Sequence, residues 1–246
     1  MTVLLALAFL AQLVPGEGRQ ARVQGESAEE TFKKIEASIE KAKTISIAFT
    51  VDGKGAKEGP DRELKAKGTF LLKEGGIFNC SVKLMRQGQE EETTLVFDGT
   101  RTSVRRDQGD PMLSDVPKAH RGSAITLLAR LGAFMSGLMP RGAGGPEEDI
   151  KKVLEVKDFK AGEDDNEAKT LLFTAQINVP GGARTPAFDC RLWYDPKTFK
   201  LFKRTITIRQ GTDVEGTMTE SYTEYVINAP IPDEKFKVET PKPKDK

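Results

Sequence analysis

The sequence predicts an α+β fold in which a strongly curved antiparallel β-sheet, a half-open barrel, has helices packed in or over its concave face. Segments of alternating apolar and polar residues recur along the chain between turn residues, which is the pattern of consecutive antiparallel strands. Residues 28–43 have the periodicity of an amphipathic helix, and residues 124–139 read as a helix that is apolar on nearly every side. A strongly curved sheet leaves an open mouth, which helices of this kind can fill.

The chain begins with a segment typical of an export signal. Residues 3–14 are an apolar run that is too short to cross a bilayer, and residues 15–18 end it with helix-breaking residues. We therefore expect a signal peptide over about residues 1–25, a single domain over 26–240 and a charged tail over 241–246. A buried N-terminal helix is the alternative. No positively charged residue precedes the apolar run, so either the true start lies upstream or the signal is a weak one. No lipid-attachment cysteine follows the run, so the expected exported product is soluble and periplasmic.

The charge balance argues against a nucleic-acid partner. Lysine and arginine total 38 and aspartate and glutamate total 37, which leaves a net charge of +1. A chain without a global positive field has no long-range attraction for phosphate backbones. With 37% hydrophobic and 30% charged residues, the composition is that of a globular domain.

The first half of the chain predicts one helix and a meander of strands. Ser27 and Glu30 form a capping box that starts the first helix, which ends near Lys43. Its apolar stripe consists of Phe32, Ile35, Ile39 and Ala42. Five strands are then predicted, over residues 45–51, 68–72, 78–84, 92–97 and 100–105, with Asp98 and Gly99 as a hairpin turn. Residues 107–121 are predicted to be irregular.

The second half repeats this pattern with stronger alternation. A short helix over 147–154 and a strand over 156–159 lead to inward-facing strand positions in 171–179 and 188–194. Residues 195–198 form a turn, and two Thr-rich strands follow over 199–209 and 217–227. Prolines in residues 228–236 cannot donate to a strand ladder, so this last segment is expected at or beyond a sheet edge.

These late motifs resemble the LolA-like periplasmic lipoprotein carrier superfamily, which includes LolB and RseB. The resemblance comes from the Tyr194-Asp195-Pro196 turn, the hairpin of Thr-rich strands, Asn228, and the hook formed by Ile231-Pro232-Asp233-Glu234 with Phe236. Phe97-Asp98-Gly99-Thr100 matches the family's Asp-Gly hairpin. The resemblance implies a cavity that holds the acyl chains of a lipoprotein beneath a lid that can be displaced. The chain departs from the compact carriers in its longer apolar central helix and in its tail rich in lysine and proline.

The apolar helix over 124–139 has two interpretations. It is either a buried core helix, which is the default for such a composition, or a lid over a cavity that an apolar ligand can enter. Methionines that repack and glycines that weaken a helix favour the lid. Arg130 is the one charge within it.

We expect no catalysis, no metal site and no cofactor. The single histidine, His120, has neither a nucleophile elbow nor a nearby cysteine beside it. The acidic run 163–167 lacks the spacing of a calcium loop, and Gly142–Gly145 lacks the lysine of a phosphate-binding loop. Cys80 and Cys190 permit one disulfide, but both fall on apolar strand faces, which slightly favours two buried thiols.

The first functional hypothesis is an exported carrier of lipid or of lipoprotein acyl chains, which serves outer-membrane lipoprotein sorting and meets the envelope membrane proteins that load or unload it. The alternative is a sensory or protein-interaction module on the same scaffold, as in RseB, and a small hydrolase ranks third. The predicted cavity-wall residues are Phe78, Val82, Leu84, Phe173, Ile177, Phe188, Leu192 and Trp193. The predicted lid residues are Leu128, Leu131, Phe134, Met135 and Leu138.

Overall fold

The computed structural model describes residues 26–56, 63–86, 88–115, 123–138, 147–165, 168–178 and 186–240. The predicted signal peptide, the tail 241–246, His120 and Gly142–Gly145 lie outside these residues. Helix α1 spans Ala28–Glu40, α2 spans Ser123–Leu138 and α3 spans Glu147–Val153. Short 3₁₀ turns occupy Glu74–Gly76 and Asp233–Phe236.

The strands form one antiparallel sheet. Their bounds are β1 Thr44–Gly55, β2 Glu63–Lys73, β3 Ile77–Arg86, β4 Gln89–Phe97, β5 Arg101–Arg106, β6 Met112–Asp115, β7 Leu154–Ala161, β8 Lys169–Ile177, β9 Pro186–Tyr194, β10 Leu201–Gln210 and β11 Asp213–Ile227. The order across the sheet is β6-β5-β4-β3-β2-β1-β11-β10-β9-β8-β7. Two consecutive meanders are therefore joined by the pairing of β1 with β11, and the predicted fold class, a curved half-open sheet with few helices, is confirmed.

The core lies between the concave face of this sheet and the helices. Every second residue of the middle strands is buried, and these positions include Ile45, Ile47, Phe49 and Val51 on β1. Helix α1 begins at the predicted capping box, in which the Glu30 amide donates to Ser27 Oγ at 3.2 Å and the Ser27 amide donates to Glu30 Oε2 at 2.9 Å. It buries Phe32, whose ring packs 4.8 Å from that of Phe173 on β8.

Several predicted boundaries were wrong. Strand β6 lies within the region predicted to be irregular, and all four of its side chains are exposed, so no apolar periodicity marks it. Strand β7 begins at Leu154, directly after α3, and is twice as long as the predicted strand. The prediction was too short because most side chains of β7 are exposed, so its sequence shows no apolar alternation. Strand β2 also begins earlier, at Glu63, in a stretch rich in lysine.

The C-terminal segment is outside the strand ladder, as its prolines require, but it does not lie at a sheet edge. Thr44 Oγ1 donates to the Ala229 carbonyl at 2.6 Å, and the Asn79 side chain donates to the Lys235 carbonyl at 2.6 Å. Lys73 forms an ion pair with Asp233. The segment therefore crosses the ends of β1, β2 and β3 in the middle of the sheet, and Phe236 is buried there.

Among the residues that the structure describes, no helix combines the length and the hydrophobicity that a membrane crossing requires.

Candidate functional site

Helix α2 lies on the concave face of the sheet and contacts β1, β2 and β3. The side chains of Leu128, Leu131 and Phe134, all predicted lid residues, are at most 2% exposed. Phe134 meets Phe49 of β1 edge to face, with ring centroids 6.5 Å apart. Met135 is half-buried against the same core, and the side chain of Leu138 is outside the described part of the chain. The structure therefore brings these four predicted lid residues onto the sheet in a single helix.

The helix is broken at Gly132. Its φ of 90° and ψ of 176° are not helical, so α2 consists of two half-helices, residues 123–131 and 133–138. A side chain is excluded at this position, since a Cβ on Gly132 would lie 2.1 Å from Glu220 Oε2. Glycine is thus required here both by the positive φ and by the close approach of a carboxylate.

Glu220 of β11 caps the second half-helix. Its Oε1 accepts hydrogen bonds from the amides of Ala133 and Phe134, both at 3.0 Å, and its Oε2 accepts one from the Tyr222 hydroxyl at 3.3 Å. These amides belong to the first turn of the second half-helix, where backbone N–H groups have no carbonyl partner within the helix. A carboxylate at a helix N-terminus also interacts favourably with the helix dipole.

Arg204 of β10 binds the other side of the break. Its Nη2 donates to the Ala129 carbonyl at 2.8 Å, near the C-terminus of the first half-helix, where a cation is favoured. Arg204 is directly opposite Glu220 in the β10–β11 register, and the two side chains are 0% and 1% exposed. Within the described residues, Arg204 Nε and Nη1 have no hydrogen-bond partner.

A β-bulge directs two tyrosines toward the same place. The register between β1 and β11 shifts at Ala48 and Phe49, so Tyr222 and Tyr225 are both turned inward although they are three residues apart. Their rings meet edge to face at 5.8 Å between centroids. We call Arg204, Glu220, Tyr222 and Tyr225 the inward polar cluster, in which Tyr222 is half-buried and the other three are buried.

Burial dominates the electrostatics of this cluster. It raises the pKa of Glu220 from its ordinary 4.5 to about 7, although Arg204, the two backbone amides and the Tyr222 hydroxyl all act to lower it. Burial likewise raises the pKa values of Tyr222 and Tyr225 well above their ordinary range, so both phenols are neutral. The carboxyl of Glu220 is therefore the group of this cluster that titrates near neutral pH.

Arg130 anchors the first half-helix to the elements that pack beside it, α1 and the junction of α3 with β7. Its Nε donates to Glu36 of α1 at 3.0 Å, and its Nη1 donates to the Lys151 carbonyl at 3.0 Å and to the Leu154 carbonyl. The charge that stood out within the apolar segment is thus paired, and it ties α2 to α1 and to the start of β7.

Both cysteines lie beneath α2 and form no disulfide, which confirms the preference for two thiols. A Cβ on Gly137 would lie 2.3 Å from Cys80 Sγ, so the second half-helix sits directly on this thiol. Cys190 Sγ lies 3.8 Å from the Arg130 carbonyl, under the first half-helix. Burial raises the pKa of Cys190 to about 12.

Most of the predicted wall residues share the concave face. Phe78, Val82, Leu84, Phe173, Phe188 and Leu192 are buried in its core, and Ile177 is half-buried against it. Trp193 follows Leu192 along β9 and therefore projects from the opposite face. There its ring packs 4.1 Å from Lys203 Nζ and 5.7 Å from the Arg191 guanidinium. The structure thus places Trp193 apart from the other seven.

Sequence reasoning missed Arg204 and Glu220. A signal was present, because Glu220 stands between Met218 and Tyr222 on the inward period of β11. A charged side chain in an inward position needs an opposite charge or hydrogen-bond donors around it, so its presence in the pattern predicts a specific buried partner.

Comparison with known proteins gives structural neighbours alone. No protein-family model matches the sequence, and no curated protein matches it. The lipoprotein LppX of Mycobacterium tuberculosis has a TM-score of 0.42 and 12% identity over 83% of this chain and 97% of its own. A LolA superfamily protein of Nitrosomonas europaea has a TM-score of 0.38 and 8% identity over 86% and 98%. A putative outer membrane lipoprotein-sorting protein domain of Vibrio parahaemolyticus has a TM-score of 0.38 and 9% identity over 85% and 95%. At these identities and TM-scores no site or activity is carried over from the neighbours to this chain.

Proposed function

We propose that this protein is an exported carrier that binds lipid, or the acyl chains of lipoproteins, between α2 and the concave face of the sheet. One observation carries the proposal: an apolar helix, broken in its middle, lies on the inner face of an open sheet. The break divides the helix into two half-helices, and a lid can use such a break as its hinge.

The contacts of α2 divide into a fixed and a releasable set. The first half-helix is tied to α1 and β7 through Arg130. The second half-helix is held to the sheet by the Glu220 cap and by apolar packing of Phe134 on Phe49. Displacement of the second half would therefore break two hydrogen bonds and expose apolar surface that an acyl chain can cover again.

The expected cellular setting follows from the proposed export signal. Residues 1–25 would be removed on export, and the carrier would act in the periplasm, between membrane proteins that load and unload it. Outer-membrane lipoprotein sorting is the process that such a carrier serves. We propose no catalytic step for it.

The test is native mass spectrometry of the protein purified from the envelope fraction, together with titration by a fluorescent acyl probe. The proposal expects co-purified acyl lipid, and saturable probe binding that unlabelled fatty acid displaces. A protein that is consistently empty and does not bind the probe would instead favour the sensory or protein-interaction module.

A matched pair of variants locates the site. Phe134→Ala enlarges the space under the lid, so it is expected to change probe affinity. Trp193→Ala removes an aromatic side chain of larger size from the outer face and is expected to leave affinity unchanged. Equal effects of the two substitutions would contradict binding beneath α2.

A further inference from the structure

Three cations lie close together on the outer face of the sheet, opposite to the face that α2 covers. The register pairs Lys160 of β7 with Leu172 of β8, and Leu172 with Arg191 of β9. Lys203 of β10 is paired with Trp193, which follows Arg191 on the same face of β9. Neighbouring strands are about 4.8 Å apart, so Lys160 and Arg191 are separated by roughly 10 Å, within reach of their long side chains.

These cations have no carboxylate partner within the described ranges. Lys203 Nζ lies 4.1 Å and the Arg191 guanidinium 5.7 Å from the centre of the Trp193 ring. Lys160 is exposed and forms no ion pair with a described residue. An indole ring attracts each cation but does not cancel its charge. Because like charges held at one ring repel each other, an anion placed between them would be bound favourably.

The acids of the same face reduce this charge but do not cancel it. Arg209 binds both oxygens of Asp189, with Nη2 donating to Oδ1 at 2.6 Å and Nε lying 2.6 Å from Oδ2. Thr174 Oγ1 donates to the same Asp189 at 3.2 Å. Asp158, at the bulge of β7, interacts electrostatically with Arg209 as well. Four cations against two acids therefore leave a local net charge of +2.

An open pocket of about 390 Å³ lies among these side chains. Its lining includes the ammonium-bearing Lys160, the guanidinium of Arg191, the ring of Trp193 and the hydroxyl-bearing Thr174, Thr205 and Thr207. Ammonium, guanidinium and hydroxyl groups all donate hydrogen bonds, and phosphate oxygens accept them. The pocket therefore has the donors and the charge that a phosphate group requires.

We propose that this outer cationic patch, formed by Lys160, Arg191, Trp193 and Lys203, binds phosphate headgroups at the surface of an anionic lipid membrane. Charge complementarity carries the choice of an anionic partner. Aromatic side chains carry the choice of a membrane, since Trp193 is half-buried beside the cations and Phe202, next to Lys203, is 40% exposed. Such rings are favoured at the boundary between lipid and water. The inference goes beyond the proposed acyl site, which is on the opposite face of the sheet.

Trp193 is the single tryptophan of the chain, so its fluorescence reports on this patch alone. The full-length protein is mixed with vesicles of phosphatidylcholine, with or without one third phosphatidylglycerol, near physiological ionic strength. We expect flotation with the anionic vesicles, a blue shift of Trp193 emission and protection of Trp193 from acrylamide. Neutral vesicles should produce none of these changes. Flotation that leaves the Trp193 emission unchanged would overturn the proposal, because the membrane would then contact another surface.

The triple variant Lys160→Gln, Arg191→Gln, Lys203→Gln tests the charges directly. A cation near an anionic membrane contributes on the order of fivefold in affinity, so we expect the triple variant to lose on the order of a hundredfold. The apolar run 3–14 is shared by parent and variant, so it produces no difference between them.

A matched control removes three lysines from the outer face of β1 and β2, with the substitutions Lys54→Gln, Lys65→Gln and Lys67→Gln. It makes the same change in net charge, but Lys54 and Lys65 are directly opposite Glu63 and Asp52 in the register. We expect it to retain most of the vesicle binding. Equal losses in the two triple variants would overturn the proposal, since net charge alone would then explain the binding.

Soluble glycerol 3-phosphate separates a membrane from a free anion. A Trp193 response to glycerol 3-phosphate without any flotation on anionic vesicles would overturn the membrane assignment. Vesicle binding through the patch by a protein that binds no acyl probe would refute the carrier function and retain the patch. A protein that binds the acyl probe but not the anionic vesicles would retain the carrier and refute the patch.

Discussion

Arg204 and Glu220 lie directly opposite each other on β10 and β11, and each binds a different side of the break in α2. Both are buried, so each side chain has given up hydration that its partners must replace. The pair thus does in the interior what caps do at the surface: it satisfies the ends of two half-helices that water cannot reach.

Replacement of Arg204 by methionine is expected to destabilise the fold by about 3 kcal/mol, because it leaves the buried Glu220 without its cation. The double variant Arg204→Met, Glu220→Gln should recover part of this loss, since no uncompensated charge then remains. Urea unfolding at neutral pH gives the free energies for the cycle. Strictly additive losses would show that the two residues act independently.

Gly132→Ala is expected to cost about 3 kcal/mol or more, because its positive φ is strained for alanine and the new Cβ meets the Glu220 carboxylate. Gly75→Ala is the matched control. Gly75 has a φ of 82° and nothing within 4 Å of the new Cβ, so strain alone should cost about 1 kcal/mol. Comparable losses in chemical denaturation would mean that contact with Glu220 is unimportant.

Phe134→Glu separates a lid from an ordinary core helix. In a fully packed core, an unpaired buried charge costs several kcal/mol and can unfold a domain of ordinary stability. In a lid the second half-helix can swing outward, so we expect the fold to survive while acyl-probe binding is lost. Thermal unfolding and probe titration decide this. Outright unfolding, or a folded variant that binds normally, would refute the lid.

We expect both cysteines to be free thiols that react slowly with thiol reagents in the folded protein. Titration of the unfolded, unreduced protein with a thiol reagent is expected to count two reactive groups, because Cys80 and Cys190 form no disulfide. In the folded protein at neutral pH, Cys190 should react far more slowly than a free thiol, since burial keeps it protonated. A zero count after unfolding would establish a bridge.

The export prediction concerns the first fifteen to twenty-five residues or so, which should be missing from the mature protein because breakers and small residues bound the apolar run. N-terminal sequencing of protein from the envelope fraction tests it. An intact Met1 on a cytoplasmic product would refute export.

Alternation predicted the strands whose inner residues are apolar and whose outer residues are polar. Strand β9 is an example, with Phe188, Cys190, Leu192 and Tyr194 inward. Strands β6 and β7 lie at the two ends of the sheet order, where one face is little covered, and their exposed side chains carry no such period. The edge strands are therefore the part of this fold that apolar periodicity in the sequence does not predict.

The sequence predicted the apolar residues of the site on α2 but not the polar residues on β10 and β11. The composition of residues 124–139 was sufficient to place Leu128, Leu131 and Phe134 against the sheet. The break at Gly132 depends on a partner 88 positions later, Glu220, which local propensity does not contain. Trp193 was grouped with Leu192 although consecutive residues of a strand face opposite ways.

The first and last strands of the chain, β1 and β11, are paired neighbours in the middle of the sheet. Lys43 and Asn228, joined by a hydrogen bond, are 185 positions apart in the chain. The sheet cannot be completed until nearly all of the domain is present, and closing so long a loop is slow compared with local pairing. If the chain is exported as proposed, the part that has emerged from the translocation channel would hold two unfinished meanders, and the native state would form after passage, when β11 reaches β1.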